Sequence, residues 1–244
     1  TTTIALILVC ALAVSQIIPT DRTNRSAKVA QGKTTRSKKP VKTTFTPASG
    51  EFRGVWISFQ DIGEKRYTKK QFENFINKTF DNCKKNGFNA VIVHVRPFAD
   101  ALYPSSYFPW SRYVSGKAGK HPGFDPLSYA VSAAHKRGLA FHAWINPYRI
   151  ASNTTNVYKL PKKSIARKWA VSKKASKRRN VLKWDGKLYF NPASKDVQNL
   201  VCNGVREIVR DYAVDGIHFD DYFYPTKYKS IDKEAVSYTH LTLP

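Results

Sequence analysis

The chain has 244 residues, a formal net charge of +24 and 42% hydrophobic residues. The excess charge is confined: Arg22 to Lys42 holds eight Lys/Arg and no acid, and Lys159 to Lys187 holds twelve Lys/Arg against Asp185 alone. With no nucleic-acid motif beside these runs, and three cysteines lacking the spacing of a zinc site or a redox CxxC pair, the composition argues against a nucleic-acid binder and a cysteine-based centre.

Ile4 to Val14 is an apolar run of eleven residues, too short for an ordinary membrane span. It has the form of a signal-peptide core, and Ala11-Leu-Ala13 offers a small-x-small cleavage site. Extension through Pro19 would instead make an uncleaved anchor, while Val9 disfavours lipid attachment at Cys10. Residues 1–19 are therefore expected to be a signal peptide or N-terminal anchor, the sole membrane contact if uncleaved. Residues 20–50 form a basic, flexible linker. Either reading makes the protein exported: extracellular, in the cell wall or periplasmic.

Phe52 to Phe59 is a first strand. A helix follows from the capping box Thr68-x-x-Gln71, carries Phe72, Phe75, Ile76, Phe80 and Cys83 at helical spacing, and stops at Gly87. Asn89 to Arg96 is a second, β-branched strand. A second helix opens at Asp125-Pro126, buries Leu127, Ala130, Val131 and Ala134, and stops at Gly138, ahead of a third strand, Ala140 to Asn146. The basic segment then forms a long connection. A third helix from about Ser194 carries Val197, Leu200, Val201, Val205, Ile208, Val209 and Tyr212 inward and leads into a fourth strand at Asp215. Cys83 and Cys202 fall on different helices, where buried thiols are expected, with a single disulfide the alternative.

Strands alternating with helices imply parallel pairing under a helical layer. The first strand is followed by Ser58-Phe-Gln-Asp-Ile-Gly63, which is no Gly-rich nucleotide turn, so an open nucleotide-binding sheet is disfavoured. The strands instead end in polar residues: His94 and Arg96; His142, Trp144 and Asn146; His218 and Asp220. Period-two alternation puts each set on one face, and a closed barrel gathers such positions at its C-terminal mouth. The expected fold is α/β, a TIM (β/α)8-type barrel.

Asp215 to Pro225 ends its strand in two carboxylates, which are costly near a core unless a site uses them. Gly216, His218 and Asp220 share one face; Ile217, Phe219 and Asp221 share the other. A loop-capping role is the alternative for either aspartate.

Five blocks in this order resemble the glycosyl hydrolase-like 10 family: Arg53-Gly-Val-Trp-Ile-Ser58, Val95 to Tyr103, Pro122 to Leu127, His142 to Arg149, and Asp215 to Pro225. The resemblance implies a TIM-type barrel hydrolysing an envelope glycan, with peptidoglycan strands as substrate and no cofactor. A weaker likeness joins Asp215-Gly-Ile-His-Phe-Asp220 to the Asp-Gly-x-Arg-x-Asp pattern of the alpha-amylase superfamily, with His218 in place of its Arg. Glycoside cleavage needs two carboxyls, roughly 5 to 5.5 Å apart for retention and 6.5 to 9.5 Å for inversion. Asp220 is expected as nucleophile or charge stabiliser. Asp221 is grouped with it as catalytic, in a supporting or substrate-binding role, and the acid should come from a later strand.

The expected substrate-binding residues are Arg96, Asp100, His142, Trp144, Asn146, Tyr148, Arg149, His218 and Tyr222, with Tyr107 and Trp110 as a sugar platform in the aromatic Pro97–Gly123 connection. The basic connection lies at the rim, where it suits anionic wall polymers. Two alternatives stand beside hydrolysis. One is a metal-dependent barrel using His94, His142, His218 and Asp220; the other is a non-catalytic glycan-binding barrel. Val236 to Pro244 resembles a translated sequencing adapter, so residues 236–244 are expected to be non-native. Residues 51–235 would then be a barrel domain cut to roughly its first four β/α units, shorter than the about 250 residues usual for the fold and not expected to be active alone.

Overall fold

The computed structural model describes residues 50–228 and 231. The segments read as signal or anchor, as most of the basic linker, and as adapter-derived tail lie outside them. Among the described residues no helix is long and apolar enough to cross a membrane.

In chain order the elements are β1 (Gly54–Ile57), α1 (Phe59–Ile62), α2 (Lys69–Lys85), β2 (Ala90–Arg96), α3 (Arg112–Ser115), α4 (Pro126–His135), β3 (Ala140–Ile145) and β4 (Arg149–Ala151). After a 3-10 turn at Val157–Lys159 come α5 (Ile165–Ala170), α6 (Ala175–Arg178), β5 (Val181–Trp184), β6 (Lys187–Phe190), α7 (Lys195–Asp211) and β7 (Gly216–Phe219). β1, β2, β3 and β7 form one sheet in that order, all parallel. With intervening helices, this is the arrangement of a partial α/β barrel.

The first strand is shorter than Phe52 to Phe59. Ser58 accepts hydrogen bonds from the backbone of Gln60 and Asp61, Asp61 accepts from Ser58 N, and this capping box turns Phe59 into a helix. α2 starts on the expected box, Gln71 N donating to Thr68 Oγ1 at 3.2 Å and Thr68 N to Gln71 Oε1 at 2.9 Å. It buries Phe72, Ile76, Phe80 and Cys83. α4 starts on Asp125, which accepts from Ser128 N. α7 departs from its apolar pattern: Glu207 is buried, whereas Val209 is largely exposed. Cys83 and Cys202 are not joined in a disulfide.

The basic connection is an ordered excursion. β5 and β6 form a hairpin across Asp185 and Gly186, whose φ values of 45° and 69° are those of a two-residue type I′ turn. β4 pairs with β6, making a three-stranded antiparallel sheet of order β4-β6-β5. Leu188 and Phe190 carry this sheet into the main core.

Candidate functional site

Register lines up His94, Trp144 and His218 as direct neighbours across β2, β3 and β7. The His94 and Trp144 rings stack, with centroids 3.4 Å apart, and Trp144 meets His218 edge-on at 6.0 Å. From the opposite edge strand, Trp56 Nε1 donates to His218 Nε2 at 3.2 Å. β1 and β7 are the two edges of the sheet, so this bond spans its concave face and records how far the sheet curls. One row lower, His142 stands opposite Gly216, where a Cβ would lie 2.6 Å from the imidazole; only glycine leaves that ring its place.

His94 is buried with both nitrogens engaged: Phe59 N donates to Nδ1 at 3.3 Å, and Nε2 faces Asn146 Oδ1 at 3.3 Å. These partners select the Nε2–H tautomer. Burial pulls its pKa down to about 4, so the ring is neutral near pH 7 and serves as a fixed dipole and stacking surface. Burial lowers His142 as well. Among the described residues no group of three or more His, Cys, Asp or Glu is placed to hold a metal ion. The histidines of the metal alternative each serve another neighbour: Asn146 for His94, the Phe52 ring for His142 and Trp56 for His218.

Above this floor, Asp220 follows β7 with its backbone N–H on Ile145 O, and its Oδ1 accepts from Asp221 N at 2.7 Å. Among the described residues Asp220 forms no ion pair, and its charge acts on His94. Asp221 differs. Its backbone is left-handed, at φ 51°, and its carboxylate is ion-paired with Arg149 of β4. A carboxylate held by a guanidinium is poorly placed to hand a proton to a leaving oxygen, so the two adjacent aspartates do not make the acid and nucleophile pair. Asp215, at the other end of β7, is structural: it accepts from Phe141 N at 2.7 Å and pairs with His135 Nε2 at 2.8 Å.

The expected binding residues divide. His142, Trp144, Asn146 and His218 share one face of their strands with Asp220, while Arg149 meets the site through its ion pair with Asp221 and the Tyr222 ring lies 4.6 Å from that of Phe223. Tyr148 is half-buried against the core, and its carbonyl accepts from Phe190 N. Arg96 is a correction. A bulge between His94 and Arg96 shifts the register, so Arg96 stands opposite Ile145 and points into the helix layer. It is 1% exposed, lies 4.3 Å over the Phe108 ring, and sits where α7 has Gly204; a Cβ there would also come within 2.8 Å of Phe108.

The aromatic loop is held against the same helix. Glu207 accepts from Ser105 Oγ at 2.5 Å and Ser106 N at 2.6 Å, which places neighbouring Tyr107 on the side of α7 rather than with Asp220. Trp110 is half-buried, edge-on to His121 at 4.8 Å. Asp100 is also apart. It lines a separate cavity of about 200 Å³ with Arg112, Ile150 and Lys159, and burial raises its carboxyl to about 6. Trp56, which completes the floor, was not among the expected site residues. Its place in the first resemblance block was the available signal.

The Glycosyl hydrolase-like 10 family profile matches residues 51–242, running past Ala235 into the segment expected to be non-native. Glycosyl hydrolase YngK of Bacillus subtilis (strain 168) is 42% identical over 185 residues, 72% of this chain and 34% of that protein. Glycosyl hydrolase DigH of Escherichia coli (strain K12) is 32% identical over 197 residues, 76% of this chain and 45% of that one. The chain thus spans less than half the length of either relative. Among solved structures, a noncanonic maltogenic alpha-amylase AmyB from Thermotoga neapolitana overlaps 78% of this chain and 43% of its own, at 13% identity and a TM-score of 0.45. With the five sequence blocks falling on the strand ends and loops of one parallel sheet, and with the family match covering that whole sheet, the chain belongs to the Glycosyl hydrolase-like 10 family.

Proposed function

We propose that this chain is the Asp220-bearing part of an exported glycoside hydrolase that cuts a bacterial envelope glycan, with peptidoglycan strands as its substrate. The observation that carries this reading is the contrast at the end of β7. Among the described residues Asp220 is without an ion pair at the mouth of a curled parallel sheet, whereas Asp221 is engaged by Arg149. The names of the two relatives support hydrolysis of a glycosyl bond.

In this mechanism Asp220 faces the sugar's anomeric carbon as nucleophile, or as the charge that stabilises an oxocarbenium-like transition state. Its Oδ1 is fixed by Asp221 N, leaving the other oxygen to act. Asp221 and Arg149 hold the turn that aims Asp220. The rings of Trp144 and Trp56 offer a surface for the apolar face of a sugar, and Asn146 and His218 stand beside them to meet hydroxyl groups. The partner acid is not supplied by Asp221, so a second carboxyl from elsewhere in the full-length protein completes the chemistry.

The test is Asp220→Asn in the full-length protein, assayed for new reducing ends from purified peptidoglycan glycan strands. The expected loss is roughly 10²- to 10⁴-fold in kcat with the fold intact. Unchanged cleavage sinks the assignment. Retained glycan binding with no cleavage by the unmodified protein would favour the non-catalytic, glycan-binding alternative.

A further inference from the structure

The basic excursion between β3 and α7 is left unused by the glycan reading. It is a built surface: a three-stranded sheet tied to the core by Leu188 and Phe190, with α5 and α6 packed alongside. Lys162, Lys163, Lys168, Lys173 and Lys174 are all exposed on it, and none forms an ion pair among the described residues. The acids nearby are already committed, Asp185 to Lys187 at 2.9 Å and Asp196 to Lys177 at 2.8 Å. Five uncompensated ammonium groups this close in sequence repel one another, a standing cost that a bound polyanion would remove.

We propose that this surface docks a polymer of phosphodiester-linked polyols and so holds the protein on an anionic cell wall beside the glycan it acts on. The proposal rests on the envelope location above. Arg167 and Arg178 in the same segment spend guanidinium N–H groups on the carbonyls of Tyr158, Leu160, Ser172 and Lys173, whereas the five lysines, compact and rotatable, suit irregularly presented phosphates rather than planar, bidentate partners. Base stacking is poorly served. Tyr158 is the strongly exposed ring of the segment, at 67%, and Arg167 already lies 5.3 Å over it. The surface also adjoins the candidate site directly, because β4 supplies both the edge of its sheet and the Arg149 that pairs with Asp221.

The experiment measures binding of purified poly(glycerol phosphate) to this chain across a salt series. The comparisons are single-stranded DNA and phosphatidylglycerol vesicles at matched phosphate, and a phosphate-free glycan strand. The variant replaces the five lysines by glutamine, with a glutamate version as the stronger contrast and thermal melting to confirm folding. The expected result is affinity for poly(glycerol phosphate) exceeding that for DNA and vesicles, falling at least about 100-fold in the glutamine variant with a shallower salt dependence. Glycan binding should be the same in both proteins. Unchanged polymer affinity in the folded variant overturns the proposal, as does tighter binding to DNA or to vesicles. Loss of glycan binding by the unmodified chain would instead count against the glycan reading and leave the polymer result to be judged by itself.

Discussion

The parallel sheet and the antiparallel excursion use their strands to opposite ends. In the parallel sheet, the helix-facing side chains Val91, Val93, Phe141 and Ala143 are buried, and the other face presents His94, Trp144 and His218 to a concave mouth. The excursion sends Ile150, Val157, Ala166, Leu188 and Phe190 into that core and leaves Lys162, Lys163, Lys168, Lys173 and Lys174 in solvent. The two proposed roles follow the same division: the curled sheet concentrates a few oriented groups at one point, whereas the excursion spreads like charges over an area. The first suits chemistry, the second attachment.

The largest effect that would sharpen this contrast is expected at Glu207, which fastens the loop after β2 to α7. Glu207→Ala removes the buried carboxylate that accepts from Ser105 Oγ and Ser106 N and whose charge acts on the buried Arg96 guanidinium, and should cost about 3 kcal/mol in denaturant unfolding. A loss below 1 kcal/mol would mean that this loop is not part of the core.

Next in size is a pH effect from His94. Burial lowers its folded pKa to about 4 from 6.5, so the unfolded chain binds the proton first and stability falls as pH drops from 6.5 toward 4, by at most roughly 3 kcal/mol. Asp100, raised to about 6, works the other way: its stabilising share is complete below pH 3.8 and is lost as pH rises to 6. The informative quantity is therefore the difference between wild type and His94→Gln in urea titrations from pH 4 to 7. A difference that does not vary with pH removes the buried neutral imidazole.

A smaller change is expected in the excursion. Gly186→Val puts a β-branched residue at φ 69° and should lower stability by about 1 to 2 kcal/mol. Retained polymer binding by such a destabilised hairpin would show that the lysines act without the sheet beneath them. The smallest effect is at Trp56, already half-exposed. Trp56→Phe keeps a ring but deletes the hydrogen bond to His218, for about 1 kcal/mol or less. Weakened glycan binding without a stability change would place Trp56 in the site, and the reverse pattern would make it a brace.

Much of the parallel sheet was legible because its signals are local. Thr68 with Gln71, Asp125 with Pro126, and Gly87 and Gly138 after α2 and α4 state their own boundaries, and period two picks out the face that carries His94, Trp144 and His218. Arg96 was misread because a single bulged residue reverses a strand's facing, and no composition signal marks it. The pairing of Asp221 with Arg149, and of Trp56 with His218, joins residues far apart in the chain that only folding brings together. The hairpin was legible in principle. Asp185-Gly186 between two apolar-containing tetrads is a strong turn signal, but the surrounding lysines made the segment read only as a long connection.

Asp221 carries a further consequence. An aspartate in the left-handed region occupies a conformation that asparagine tolerates equally and that most other residues resist. Backbone shape and charge can therefore be separated at this position by one substitution. Asp221→Asn preserves the turn that aims Asp220 while releasing Arg149, and Asp221→Ala disturbs both. The difference between those two variants measures how much of the site is held by the bend of the chain and how much by the ion pair across it.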